Sequence, residues 1–236
     1  MSIYFNPNNG SFTEDKNSQI YVDKTELLKF LNKAVDTPQN CIAVSHARRF
    51  GKSHAAGMID AYYSLGSDSS KLFEDTKIAS DPDYEKYRNK YNVIHLDISS
   101  FWDDYKENLT EKIVEYIYDD IKETFGNVLD YKKKLSYVLM KIYKKTEIPF
   151  VIIIDEWDCV IRNSNDQNLI HNYLRFLHSL FKSEESKSFL ALGYITGILP
   201  IKKIEDESAL NNFQEYTMLN SYSITEYYGF TEKEVK

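Results

Sequence analysis

The chain has 236 residues, 42% of them hydrophobic, enough for one substantial α/β core and too few for two full-sized domains with linkers. Its formal net charge of −7 gives no global basic field to draw nucleic acid or an anionic membrane, so direct nucleic-acid binding is not supported. Cys41 and Cys159 stand in no disulfide or zinc spacing, and no stretch has the make-up of a signal peptide or transmembrane helix, so a cytoplasmic protein without a membrane partner is expected.

Residues 1–20, rich in Asn, Ser and Asp, predict a loop or loosely packed N-terminal arm. Asp23 with Glu26 three residues later predicts a capping-box start to a helix carrying Leu27, Leu28, Leu31 and Ala34. A strand is expected over 41–45, then a helix from about Lys52 to Tyr63. The run Asn92 to Ser99 reads as a second strand. Leu109, Ile113, Ile117, Ile121 and Phe125 recur every four residues and predict an amphipathic helix, and Leu135, Val138, Leu139 and Ile142 predict another. Phe150 to Asp155 follows as a strand, Tyr173 to Phe181 as a helical stripe, and Phe189 to Gly197 as a further buried strand. Thr217-Met218-Leu219 is expected as a short last strand, and Thr231 with Glu234 as the start of a helix. Strands separated by helices of this length imply right-handed crossovers and a mostly parallel sheet flanked by helices in three layers.

Two stretches carry chemistry. From Cys41 to Ser53 the sequence reads strand, tight loop and Gly51-Lys52-Ser53 helix start, the requirement for a phosphate-binding loop. Lys52 would reach the β- and γ-oxygens of a polyphosphate and the Ser53 hydroxyl would hold Mg²⁺. The residues from Arg48 to His54 (Arg48, Arg49, Phe50, Gly51, Lys52, Ser53 and His54) are the expected nucleotide-binding set, with His46 standing where the first glycine of the usual pattern falls. For Arg48 and Arg49, phosphate contact and a structural ion pair with acids of the sheet edge both stay open. The second stretch is the β-branched run ending in Asp155-Glu156. In parallel sheets ligands lie at the carboxyl ends of strands, which places Asp155 to hold Mg²⁺ through water and Glu156 to polarise the attacking water. Asp158 reads as a helix cap, Asp97 and His95 as structural.

The phrases Tyr21-Val22-Asp23-Lys24-Thr25, Arg48 to Ser53, His95 to Ser99, Ile154 to Asp158 and Gly193 to Pro200 together resemble the bacterial AAA-ATPase-like family, a branch of P-loop ATPases related to the STAND signalling ATPases. The resemblance runs over residues 21–230, leaving 231–236 as the start of a truncated or missing C-terminal region; longer relatives often continue into a nuclease-like domain. It implies an extra strand between the two Walker strands, Lys52 and Ser53 as Walker A residues, Asp155 and Glu156 as the Walker B pair, and Thr196 as the sensor that reads the γ-phosphate. Lys52, Glu156 and Thr196 are then the catalytic set, Ser53 and Asp155 the metal ligands, and ATP with Mg²⁺ the cofactors. The expected function is an ATP-binding, Mg²⁺-dependent ATPase acting as a nucleotide-driven switch on an appended domain or protein partner. The alternative is a non-hydrolysing nucleotide-binding or interaction module with a degenerate loop. A small-molecule kinase would need an arginine-rich lid, for which five arginines are few. Oligomeric state stays open, Arg162 and Arg175 being the candidates for an arginine supplied to a neighbour.

Overall fold

The computed structural model describes residues 2–128, 130–203, 210–218 and 224–235. In chain order the elements are α1 (Gly10–Lys16), α2 (Glu26–Asn32), β1 (Cys41–Ser45), α3 (Lys52–Tyr63), α4 (Ser70–Phe73), α5 (Tyr84–Tyr87), β2 (Asn92–Asp97), α6 (Ile98–Tyr105), α7 (Leu109–Phe125), α8 (Leu135–Thr146), β3 (Phe150–Asp155), α9 (Cys159–Asn163), α10 (Gln167–Phe181), α11 (Ser186–Phe189), β4 (Leu190–Gly197), β5 (Gln214–Thr217) and α12 (Glu232–Val235). The strands pair in the order β2-β3-β4-β1-β5, every pair parallel. An apolar run buried on both faces needs cover above and below, and helices supply it. Val151 and Ile153 of β3 face the core formed with α2 and α3, whereas Ile152 and Ile154 face the one formed with α7, α8 and α10.

This order sets β4 between β1 and β3, so the carboxyl ends of all three strands open on the same rim. No helix among the described residues is long and apolar enough to cross a membrane.

Four expectations need correction. The first residues are not a loose arm: Phe5 is fully buried and bridges Ile94 antiparallel at the outer edge of β2. The Asp120 carboxylate fastens the segment by accepting the backbone N–H groups of Ile3, Tyr4 and Phe5 at 2.9, 2.6 and 3.1 Å, and Phe12 on α1 is buried as well. The polar neighbours that suggested a loop serve as ties; the Asn6 side chain, for example, accepts from Val93 N at 2.7 Å. Asp23 does not cap α2, because its two oxygens are taken by Thr25 N at 2.8 Å and Lys77 N at 2.7 Å, which pin the entry to the helix instead. Strand β2 stops at Asp97, whose carboxylate accepts Ser99 N at 2.9 Å and starts α6 there. The last strand is 214–217, earlier than expected, because it pairs with β1; Leu219 lies outside the described residues.

Candidate functional site

Strand β1 ends at Ser45 and α3 begins at Lys52, so six residues make the turn. Two of them are left-handed: Gly51 at φ 75° and Arg49 at φ 69°. A Cβ on Gly51 would meet nothing within 4 Å, so the glycine is there for its backbone angle and not for space. Arg49 takes the same region with a side chain, at a cost in backbone energy that Asn6, Asp36, Asn89, Lys106 and Glu147 bear elsewhere in the fold. The Lys52 side chain is buried, and its ammonium donates to the carbonyls of His46 at 3.1 Å and Ala47 at 3.0 Å. Burial pulls its pKa below the usual lysine value, while Glu156, Asp155 and Asp158 act in the opposite direction, so these carboxylates lie within its electrostatic reach.

Across the rim β3 ends at Asp155, which is 5% exposed. Its Oδ1 accepts from Glu156 N at 2.9 Å and from the Thr196 hydroxyl at the tip of β4. Glu156 is left-handed too, at φ 51°, so both stretches singled out in the sequence hold a non-glycine residue in a costly conformation. Burial raises the Glu156 pKa above the usual value, against the pull of Arg162, which bonds its carboxylate through Nη2. The same arginine donates from Nε to Asp158 at 2.8 Å. Asp158 is fully buried and, although it stands at the start of α9, its side chain does not cap that helix: its Oδ2 accepts Ile198 N at 3.2 Å and Leu199 N at 2.8 Å as well as Arg162.

Lys52, Ser53, Asp155, Glu156 and Arg162 line one cavity of about 1040 Å³, together with Arg48 to Gly51 and His54. Phe12, Tyr21, Val22, Met58 and Tyr227 give the same cavity apolar wall, beside further polar residues such as Asp15, Lys24, Asp97 and Asp103. A cavity at a helix start that is lined by Arg48, Arg49, Lys52 and Arg162 and also has aromatic and aliphatic wall suits a polyanion joined to a flat organic group. The hydroxyl of Ser53 and the carboxylate of Asp155 are hard oxygen donors, and no group of three His, Cys, Asp or Glu able to hold a metal occurs among the described residues. That set fits Mg²⁺, which binds through one or two protein oxygens and completes its shell with phosphate and water.

Some expected residues sit differently. Thr196 is not among the residues that line the cavity; it is fully buried and its hydroxyl bonds Asp155. His54 lies at the rim with its ring 2.5 Å from Asp15. Arg48 and Arg49 are exposed and, among the described residues, form no ion pair with the sheet edge. Arg162 lines this cavity and pairs with Glu156 and Asp158, a position signalled only by its i, i+4 spacing from Asp158. His46 is buried and stacks on Tyr228 with ring centroids 5.3 Å apart, while Gly229 N donates to Phe50 O at 3.1 Å. Residues beyond the sheet thus hold the loop, which the sequence did not signal.

A family model described as predicted AAA-ATPase (AAA-ATPase-like) matches residues 11–205. Comparison with curated proteins gave no match. Among solved structures the chain is similar to Cdc6p from Pyrobaculum aerophilum, at 10% identity and TM-score 0.45 over 90% of this chain and 50% of that one. It is similar also to the Aeropyrum pernix ORC2 protein in ADPNP and ADP complexes, at 10% identity and TM-score 0.48 over 91% and 52%. The third is C. elegans PCH-2, at 10% identity and TM-score 0.40 over 81% and 41%. The chain therefore spans about half the length, or less, of these proteins, and none of the three carries an argument about function.

Proposed function

We propose, from the premise that the chain belongs to the AAA-ATPase-like family of predicted AAA-ATPases, that it binds ATP with Mg²⁺ in this cavity and hydrolyses it as a nucleotide-driven switch. The observation that supports this reading most is the convergence of Lys52, Asp155 and Glu156 on one cavity, the two acids acting on the charge of the lysine. Lys52 exchanges its two loop carbonyls for the β- and γ-oxygens, and the start of α3 directs its partial positive charge at the same phosphates. Arg48 and Arg49, exposed at the cavity, add charge-assisted bonds to phosphate. Ser53 and Asp155 hold Mg²⁺, with Asp155 kept in orientation by the Thr196 hydroxyl. Mg²⁺ supplies neutralisation of the charge that develops on the phosphate oxygens. Glu156 orients water, and its raised pKa brings it closer to the range of a working base.

One observation favours a second reading, a module that binds nucleotide without hydrolysing it. Glu156 is already engaged by Arg162, and a carboxylate so paired is a poor base. Single-turnover hydrolysis beside equilibrium ATP affinity separates the two. Glu156→Gln is expected to keep ATP binding and to slow turnover by about a hundredfold, the contribution of a positioned general base. A parent without turnover above background, or a Glu156→Gln variant at the parental rate, sinks the ATPase reading and leaves the binding module. A cytoplasmic location, kinship with STAND signalling ATPases, and an appended C-terminal domain or protein partner that receives the switch belong to the same proposal.

A further inference from the structure

Arg162 has two partners of unlike purpose. Asp158, fully buried, already gives its charge a structural counterpart, and it is itself fastened to the backbone of Ile198 and Leu199 just beyond Thr196. A purely structural arginine needs nothing more. Yet its Nη2 takes the carboxylate of Glu156, a residue held in a left-handed conformation, and both side chains belong to residues that line the cavity. Lys52 feels Arg162 as a like charge, so both cations border the same space, and an anion between them relieves their repulsion.

We propose that Arg162 is a γ-phosphate sensor acting in cis, which holds Glu156 in the resting site and exchanges it for the γ-phosphate when ATP arrives. This inference rests on the ATP-binding reading above. The exchange is favourable because a terminal phosphate carries more charge than a carboxylate and matches the planar guanidinium fork equally well. It needs little motion, since Nε stays anchored on Asp158 while the end of the fork changes partner. Glu156, once released, is free to orient water, so the base becomes available only when the phosphate to be attacked is present. ADP lacks the group that draws Arg162 away and leaves the pair closed.

The test compares ATP and ADP affinities by calorimetry, with Mg²⁺, in the full chain. The parent is expected to prefer ATP. Arg162→Gln is expected to lose about tenfold or more in ATP affinity with less than about a twofold change for ADP, the size of one charge-assisted phosphate contact. Glu156→Gln, which frees the arginine in advance, is expected to tighten ATP binding in the parent, and to do so much less in the Arg162→Gln background. Should Arg162→Gln leave Asp158 uncompensated and fail to fold, Arg162→Lys keeps the charge without the fork and is expected to retain only part of the ATP preference. Equal losses for both nucleotides, an unchanged ratio, or additive effects of the two substitutions overturn the sensor and make Arg162 a structural ion pair. A parent that binds neither nucleotide overturns the ATP-binding reading and this one with it.

Discussion

At the scale of single residues the charges of the site, Lys52, Asp155, Glu156 and Arg162, are each held by protein groups. Lys52 rests on two carbonyls of its own loop, so Lys52→Ala removes the phosphate contact and about two ordinary hydrogen bonds at once. ATP affinity is expected to fall on the order of a hundredfold, whereas the lost loop bonds cost about 1 kcal/mol each and lower the melting temperature by only a few degrees. Calorimetry and thermal melting check both; an unchanged affinity removes Lys52 from the nucleotide site. Gly197 shows how tightly the other half is built. A Cβ there comes within 2.7 Å of Asp158 Oδ1 and Trp157 Nε1, so Gly197→Ala is expected to destabilise the protein by about 1–3 kcal/mol in denaturant unfolding. If stability is unchanged, the Trp157–Asp158 turn is softer than its burial implies. Lys52, Ser53, Asp155 and Glu156 were legible in the sequence because their chemistry depends on residue type at the end of an apolar run. The Asp155–Thr196 bond and the Asp158–Arg162–Glu156 chain were not, because they depend on where side chains from separate elements point.

At the scale of elements, periodicity located β1, α3, α7 and β3 with little shift, since each is decided by which faces must be buried. The N-terminal segment escaped because three aromatics, Tyr4, Phe5 and Phe12, among Asn and Ser give no period, yet Phe5 is fully buried against the sheet. Phe5→Ala is expected to cost about 3–5 kcal/mol, more than any loop residue would, as read by denaturant unfolding. A loss near zero returns the segment to the status of an arm. At the other terminus Glu234 takes both Lys24 Nζ at 2.8 Å and Thr231 N at 2.7 Å, which hold its pKa down from 4.5 to about 2. A depressed carboxyl pKa stabilises the docked segment above the unfolded value and loses that contribution as pH falls from about 4.5 toward 2. An NMR titration of the Glu234 carboxyl checks it; a midpoint near 4.5 shows that α12 is not docked in solution.

At the scale of the whole molecule the three-layer arrangement makes the cavity a junction of parts distant in sequence: the loop before α3, the β3 tip, Ser18 with Ile20 to Val22, and Tyr227 with Gly229 and Phe230 all wall it. A ligand filling it therefore ties the layers together and must show up as global stability. At a hundredfold excess over its dissociation constant ATP is expected to add about 2.7 kcal/mol, or roughly 5–10 °C in melting temperature. Chelating Mg²⁺ with EDTA is expected to remove most of that shift, and a shift indifferent to EDTA argues against Ser53 and Asp155 as metal ligands. The backing of the loop by Tyr228 and Gly229 bears on the entropy of the same event. Glycine-rich loops reach their bound shape by surrendering freedom when the phosphate arrives. Here a buried imidazole stacked on a tyrosine, with a backbone bond beside it, has already taken that freedom away during folding. On the proposed reading the loop meets its phosphate preorganised, and His46 in place of the first glycine moves the ordering of the loop from binding to folding.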